Sequence, residues 1–287
     1  MTSPGLLQDL SDDSLREWIQ MIHRLTGITI SESRRSMVQG RLRKRVLELK
    51  LSSYQEYFAY VQTKADEKTI FIDLITTNET YFYRTPRIWD YIEKEFLPQW
   101  HKTRPGGNLQ AWSAAASSGE EAHTLGILLQ NYRSTRADFS YSILGTDISQ
   151  KMVQSCQQGE YVGKALDHFQ KLRPDLAQKF LVPLPSGAST VHADIRLRLK
   201  FKTHNLFQPL VGAPKFDLIL LRNVLIYFTP KDQEVVLQNV AANLAGDGVL
   251  IIGESESLTH IQTPFRSLHP LIYTKASPAE LLKQAAS

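Results

Sequence analysis

Residues 109–126 read LQAWSAAASSGEEAHTLG, and the order of residue types in them decides the fold class. Leu109–Trp112 has the apolar, β-favouring character of a short strand. Six small residues follow, Ala114 to Gly119, and then a helix-forming run from about Gly119 to Tyr132. A strand that passes through small residues into a helix is how an open α/β sheet brings its backbone close to a ligand. The stretch is not the G-x-G-x-x-G of a dinucleotide site. Glu120 and Glu121 stand at the helix start, where a pyrophosphate would sit and be repelled. Close packing of strand against helix, with the acids favoured by the helix dipole, accounts for the same residues equally well.

Downstream the same alternation continues. Tyr141–Gly145 reads as a second strand ending at Asp147, with a helix from Ser149. Phe201–Leu206, Asp217–Leu221 and Val249–Gly253 are further strands, Lys231–Leu244 a helix, and Leu271–Lys275 a closing strand. This is the pattern of a mainly parallel sheet with helices on both faces. Residues from about 174 to 200 depart from it. They hold PLPSGAS and then the alternating VHADIRLRLKF, which read as a small antiparallel β insertion.

Upstream, the first 75 residues read as a small helical bundle. Asp12 or Asp13 is positioned to cap a helix carrying Leu15, Trp18, Ile19 and Ile22, and Gly27 ends it. Ser31 caps a second helix running to about Leu49, and Ser52 or Ser53 a third with Tyr54, Tyr57, Phe58 and Val61 on one side. From Ile70 to Trp100 the pattern is mostly helical but broken at TTNETYFYRTP, residues 76–86, a stretch that periodicity alone would make an aromatic helix packing on the core. KTRPGGN, residues 102–108, is a loop into the second domain. The boundaries are therefore 1–75 and 76–287, with 76–107 as a helical linker.

Composition sets limits on what such a chain does. The 287 residues are 42% hydrophobic and 22% charged, with net charge +4, values of a globular protein and far from those of a nucleic-acid coat. Cys156 is the single cysteine, so no intrachain disulfide and no multi-cysteine metal site is expected. No apolar run approaches the roughly 20 residues of a membrane span, and the opening MTSPGLLQDLSDD lacks the pattern of a leader. A cytoplasmic protein is the expectation.

Three further stretches bear on chemistry. Asp147, in ILGTDIS, stands at the carboxyl end of the second strand, where an acid binds a ribose diol or simply caps the next helix, as Ser149 would also do. Together with the small-residue turn it favours a nucleoside without phosphates, and S-adenosylmethionine, whose amino group suits carboxylates, is the candidate. FDLILLRNVLIYFTP ends its strand in Arg222 and Asn223 at the crevice, with Tyr227 shortly after. RRSMVQGRLRKR, residues 34–45, carries six basic residues and no acid. At 100° per residue Val38, Leu42, Val46 and Leu49 share one face, and Arg34, Arg41, Lys44 and Arg45 gather beside it. That arc is either a solvated face or a surface for an acidic partner.

In order along the chain, TTNETYFYR, WSAAASSGEE, LGTDIS, HNLF, FDLILLRNVLIYF and GESESL resemble the chemotaxis receptor methyltransferases, the CheR family, over about residues 14–275. The resemblance implies a small N-terminal all-helical domain and a Rossmann-like methyltransferase domain with a small antiparallel insertion. It implies methyl transfer from S-adenosylmethionine to glutamate side chains on the cytoplasmic helices of methyl-accepting chemoreceptors, for sensory adaptation. The products would be methyl esters and S-adenosylhomocysteine. It implies cofactor contacts from Asn78, Thr80, Arg84, Glu121, Asp147, Asn205, Leu206, Arg222 and Asn223. Arg84 and Tyr227 would orient the substrate glutamate, and Arg34, Arg41, Lys44 and Arg45 would dock the receptor. No metal and no nucleic-acid partner is expected, nor membrane insertion, and the chain is expected to be monomeric. The sequence departs from the family in three places: Ala122–His123 replaces a common Pro-Tyr, Glu254 replaces a common His, and PLPSGAST lacks the Gly-x-Gly loop of members that bind a receptor tail peptide. Binding of that peptide is therefore not expected. A nucleic-acid methyltransferase is a competing reading, weakened by the absence of any Pro-Pro motif. A non-catalytic cofactor-binding module is another, opposed by Arg84 and Tyr227.

Overall fold

The computed structural model describes residues 7–277 and 280. Residues 1–6, part of the stretch read above for a leader, lie outside the described residues. The chain forms two compact units. One runs to Thr77 and takes in Tyr227–Thr229; the other holds Asn78–Ile226 and the chain from Pro230. Among the described residues no helix is long and apolar enough to cross a membrane.

The helical unit contains α1 (Asp12–Thr26), α2 (Arg35–Glu48), α3 (Tyr54–Thr63) and α4 (Ala65–Ile75). The cap of α1 is Ser11, whose side chain accepts from the Ser14 N–H, and not Asp12 or Asp13, which occupy the first turn and complement the dipole. Gly27, at φ 75°, ends the helix in the left-handed conformation. Ser31 caps a 3₁₀ turn, Glu32–Arg34, that leads into α2. Val38, Leu42 and Val46 of α2 are buried with Leu15, Trp18 and Ile22 of α1 and Tyr57, Val61 and Phe71 from α3 and α4. Trp18 packs its ring on Tyr57, Phe58 and Phe71, with centroids 5.4, 5.0 and 5.3 Å away.

The second unit opens with α5 (Pro86–Tyr91), a π turn (Ile92–Phe96) and α6 (Leu97–Thr103). Then follow β1 (Asn108–Ser113), α7 (Glu120–Arg133), β2 (Ser140–Asp147), α8 (Gln150–Gln158), β3 (Glu160–Tyr161), α9 (Lys164–Leu172), α10 (Pro174–Phe180), β4 (Leu181–Pro183), β5 (Ser189–Val191), α11 (Ala193–Arg196) and β6 (Leu199–Thr203). The chain closes with β7 (Phe216–Leu221), α12 (Pro230–Asn243), β8 (Leu244–Ile252), β9 (Phe265–His269) and β10 (Ile272–Lys275). The main sheet has the order β6-β2-β1-β7-β8-β10-β9. It is parallel from β6 to β8, and β10 runs antiparallel to β8 and to β9. From β1 the chain winds outward through α7 to β2, and from β7 it winds the other way through α12 to β8. The sheet's switch point therefore lies between β1 and β7, where open α/β sheets place their ligands.

Three expectations are corrected. TTNETYFYRTP is a loop, because Tyr83 and Thr85 lie at φ 60° and 64°, which no helix accommodates. Phe82 and Tyr83 are nonetheless buried in the core. The run VHADIRLRLKF is not one strand: His192 turns the chain into α11, and Ile195 packs on Gly126 of α7. The antiparallel sheet, in the order β3-β5-β4, draws one strand from residues 160–161, and residues 174–180 are helical. The third strand is Leu199–Thr203, so Asn205 and Leu206 lie beyond its end.

Candidate active site

The loop after β1 runs along the carboxyl ends of three strands. The Ala114 N–H donates to Leu220 O of β7 and the Ala116 N–H to Thr146 O of β2. Ser117 then takes φ 49° and Gly119 φ 103°. A side chain at Gly119 would meet the Tyr161 hydroxyl at 2.7 Å, so this glycine serves close packing as well as a left-handed turn. Ala114, Ala116 and Gly119 are buried, while Ala115, Ser117 and Ser118 keep part of their surface.

Asp147 ends β2, 7% exposed, and its two oxygens accept from the Ser117 N–H at 2.8 Å and the Ser149 N–H at 2.9 Å. It therefore ties the first crevice loop to the second. Ser149 caps α8 by accepting from the Met152 N–H, so the cap and the crevice acid are different residues. The His204 N–H donates to the Asp147 carbonyl, bringing in the third strand end, where Asn205 Oδ1 accepts from the Phe207 N–H. Leu206 is buried there.

The loop 78–85 is laced onto this crevice. Ser117 Oγ donates to the Asn78 carbonyl at 2.9 Å, and the Tyr83 N–H to Thr124 Oγ1 of α7 at 3.1 Å. The Arg84 carbonyl accepts from Trp89 Nε1 at 2.9 Å and from Arg222 Nη2 at 2.8 Å. The Arg84 guanidinium touches the Glu79 carbonyl and the Tyr81 ring, and forms no ion pair among the described residues. Thr80 is half-buried in the same loop.

Arg222 is buried at the end of β7. It gives Nη1 to Glu121 Oε2 at 2.9 Å, while Glu121 Oε1 accepts from Ser113 Oγ at 2.7 Å. Its two terminal nitrogens are thus held by Glu121 and by the Arg84 carbonyl. Glu120, also buried, accepts from Ser118 Oγ and forms no ion pair among the described residues. Burial raises its pKa, and a cationic ligand is what would hold it ionised.

Glu256 was not legible from the sequence. It is 7% exposed, and its carboxylate accepts from the N–H groups of Asn223, Val224, Leu225 and Gly253. Asn223 is held at φ 57°, a conformation Asn tolerates. A Cβ at Gly253 would meet Glu256 Oε2 at 2.7 Å and the Asn223 N at 2.8 Å, which explains the glycine in GESES. Burial raises the pKa of Glu256, opposed by those four donors. Glu254 pairs with Arg87 at 3.0 Å and accepts from Thr85 Oγ1, so its charge is compensated within the unit.

Tyr227 and the basic arc belong to the helical unit. The Tyr227 carbonyl accepts from the Thr29 N–H at 2.8 Å. Arg34 and Lys44 are exposed. Arg41 and Arg45 are not free as the arc reading expected. Arg41 donates to the Ile75 and Thr76 carbonyls and to Thr77 Oγ1, closing the end of α4. Arg45 makes a two-pronged bond to buried Glu67 at 2.8 and 2.7 Å.

The crevice fits S-adenosylmethionine: an acid where a ribose diol would lie, small residues along the loop, and a buried carboxylate, Glu120, with no cationic partner among the described residues. Residues 78–273 match the family described as CheR methyltransferase, SAM binding domain, and residues 13–76 that described as CheR methyltransferase, all-alpha domain. The chain is 32% identical over 261 residues to chemotaxis protein methyltransferase 1 of Vibrio cholerae, covering 89% of this chain and 93% of that protein. It is 30% identical over 261 residues to chemotaxis protein methyltransferase 2 of Pseudomonas aeruginosa, covering 90% and 91%. With the chemotaxis protein methyltransferase of Listeria innocua it shares 30% over 255 residues, covering 88% and 93%. Fold, crevice and matches together define a methyltransferase that uses S-adenosylmethionine. The chain belongs to the CheR family of chemotaxis methyltransferases.

Proposed function

We propose that this chain transfers methyl groups to glutamate side chains on the cytoplasmic helices of methyl-accepting chemoreceptors, leaving methyl esters and S-adenosylhomocysteine, in sensory adaptation. The observation that carries the reading is Arg84. Its backbone is anchored by Trp89 and Arg222 between two left-handed residues, and its guanidinium has no acid of its own among the described residues. An arginine so placed is a ready partner for a substrate carboxylate, by a charge-assisted bond.

Bound S-adenosylmethionine supplies an electrophilic methyl group on a sulfonium. A glutamate, with an ordinary pKa of about 4.3, is ionised at neutral pH and needs no general base. The work left to the chain is to align the carboxylate and exclude water. Arg84 holds one carboxylate oxygen and the Tyr227 hydroxyl donates to it as well. Asn78, Thr80, Glu121, Asp147, Asn205, Leu206, Arg222 and Asn223 hold the cofactor. Arg34 and Lys44 meet the acidic receptor surface. The chain works in the cytoplasm as a monomer, without a nucleic-acid partner. It does not take a receptor tail peptide: the outer strand β4 has three residues and ends in Pro183, which offers few donors for β-addition.

The test is transfer of labelled methyl from S-adenosylmethionine onto receptor signalling fragments. Base-labile label on glutamates is the expected result; base-stable label, or label on nucleic acid alone, would overturn the reading. Tyr227→Phe keeps the ring and is expected to lower kcat about tenfold to a hundredfold with cofactor affinity unchanged. An unchanged kcat removes Tyr227 from the site.

A further inference from the structure

Three consecutive carbonyls of the loop after β1 are gripped by three side chains from three different elements. Cys156 Sγ, from α8, donates to Ser117 O at 3.0 Å. The Tyr161 hydroxyl, from β3, donates to Ser118 O at 3.0 Å. His123 Nδ1, from α7, lies 2.9 Å from Gly119 O and 2.8 Å from the Tyr161 hydroxyl. A carbonyl only accepts, so Nδ1 carries the proton. All three side chains are buried, and none of them takes part in the reaction described above. A trans peptide points each N–H opposite its carbonyl. Holding Ser117 O back against Cys156 therefore aims the Ser118 N–H the other way, and that N–H has no protein partner among the described residues.

We infer that His123, Tyr161 and Cys156 are positioning residues that set the backbone of the cofactor loop, and that Tyr161 links the insertion sheet β3-β5-β4 to it. The positive φ angles at Ser117 and Gly119 are what such a grip has to maintain, since a free loop relaxes out of them. His123 stays neutral, as burial lowers its pKa to about 4. The inference rests on the cofactor assignments proposed above.

The experiment measures S-adenosylhomocysteine binding by calorimetry, with KM for S-adenosylmethionine, on full-length variants. Tyr161→Phe keeps the ring that meets Phe82 edge-on at 4.8 Å and removes only the hydroxyl. It is expected to weaken binding about fivefold, the scale of one neutral hydrogen bond, and to raise the cofactor KM while kcat and the receptor KM hold. Asn places an amide near Nδ1 and Gln places one near Nε2. His123→Gln is therefore expected to weaken binding about fivefold or more, and His123→Asn to recover most of that loss. Tyr161→Phe with a lower Tm but unchanged binding would reduce these residues to packing and overturn the inference, whether or not the histidine variants fold. Asp147→Ala separates the two levels. Weakened binding there with Tyr161→Phe unchanged overturns this inference alone; no change in either variant overturns the cofactor assignments as well.

Discussion

In the helical unit Glu67 accepts from two nitrogens of Arg45 and from the Tyr57 hydroxyl, at 2.8, 2.7 and 3.0 Å. In the sheet unit Arg222 gives one nitrogen to Glu121 and one to the Arg84 carbonyl, and its buried Nε has no partner among the described residues. Both acids are buried, yet only the first pair has the parallel fork-to-carboxylate geometry that makes such pairs strong. Arg222 gives up that geometry to join α7 to the loop 78–85. A pair that only holds helices together can satisfy every donor. A pair that sets the shape of a crevice divides its donors between elements.

The sharpest way to break this contrast is to remove one acid at a time. Glu67→Ala removes the buried carboxylate that Arg45 and Tyr57 share, leaving Arg45 with Glu48 at 3.2 Å, and is expected to cost about 1–3 kcal/mol of stability. The loss reads as a lower urea midpoint, with S-adenosylhomocysteine affinity of the folded protein unchanged. Glu121→Ala leaves the buried Arg222 without an acid and is expected to cost about 3–5 kcal/mol and to weaken that affinity too. Equal affinities in the two variants would erase the distinction.

His123 offers a buried ionisable group with no ion pair among the described residues. Burial lowers its pKa from 6.5 to about 4, with the Gly119 carbonyl opposing and Arg196 adding to the shift. Between those values the unfolded chain binds the proton and the folded chain does not. Stability is therefore full above about pH 6.5 and falls as the pH drops toward 4, by roughly 3 kcal/mol. The unfolding free-energy difference between wild type and His123→Asn, followed from neutral pH downward, isolates this component. A difference that does not move with pH refutes it.

Smaller effects follow at the crevice and at the surface. Asp147→Ala is expected to weaken S-adenosylhomocysteine binding by about 1–3 kcal/mol, the range of a charged hydrogen bond. Arg34→Ala with Lys44→Ala is expected to raise the receptor KM only a few-fold, since exposed charges contribute about 0.2–1 kcal/mol each, and high salt should remove the effect. Arg45→Ala should instead lower Tm. If it raises KM with Tm intact, the division between exposed and engaged arginines is wrong.

Much of this was legible in order and type. The strand, small-residue turn and helix at 109–133 are readable because each has its own local period, and Asp147 because an acid after an apolar run marks a strand end. The loop at 76–86 was legible only as a break in the helical pattern. Its aromatic spacing mimics a helix, and only the left-handed residues Tyr83 and Thr85 show that the rings are buried from a loop. Ile195 misled in the opposite way. It alternates with polar neighbours as in a strand, yet it is fully buried against the helix face at Gly126. Glu256 left no signal, because four main-chain donors carry no residue identity.

Local chemistry thus settled the strand–helix alternation of the sheet unit, the crevice loop and the family motifs, since each depends on residues within a few positions of one another. The tertiary structure alone decided which charges are available. Glu67 lies 22 residues from Arg45, and Glu121 lies 101 residues from Arg222. A guanidinium's partner depends on which elements pack together, and the spacing of residues along one helix does not contain that information. For this reason four basic residues that look equivalent on a helical wheel divide into two that hold the fold and two left exposed.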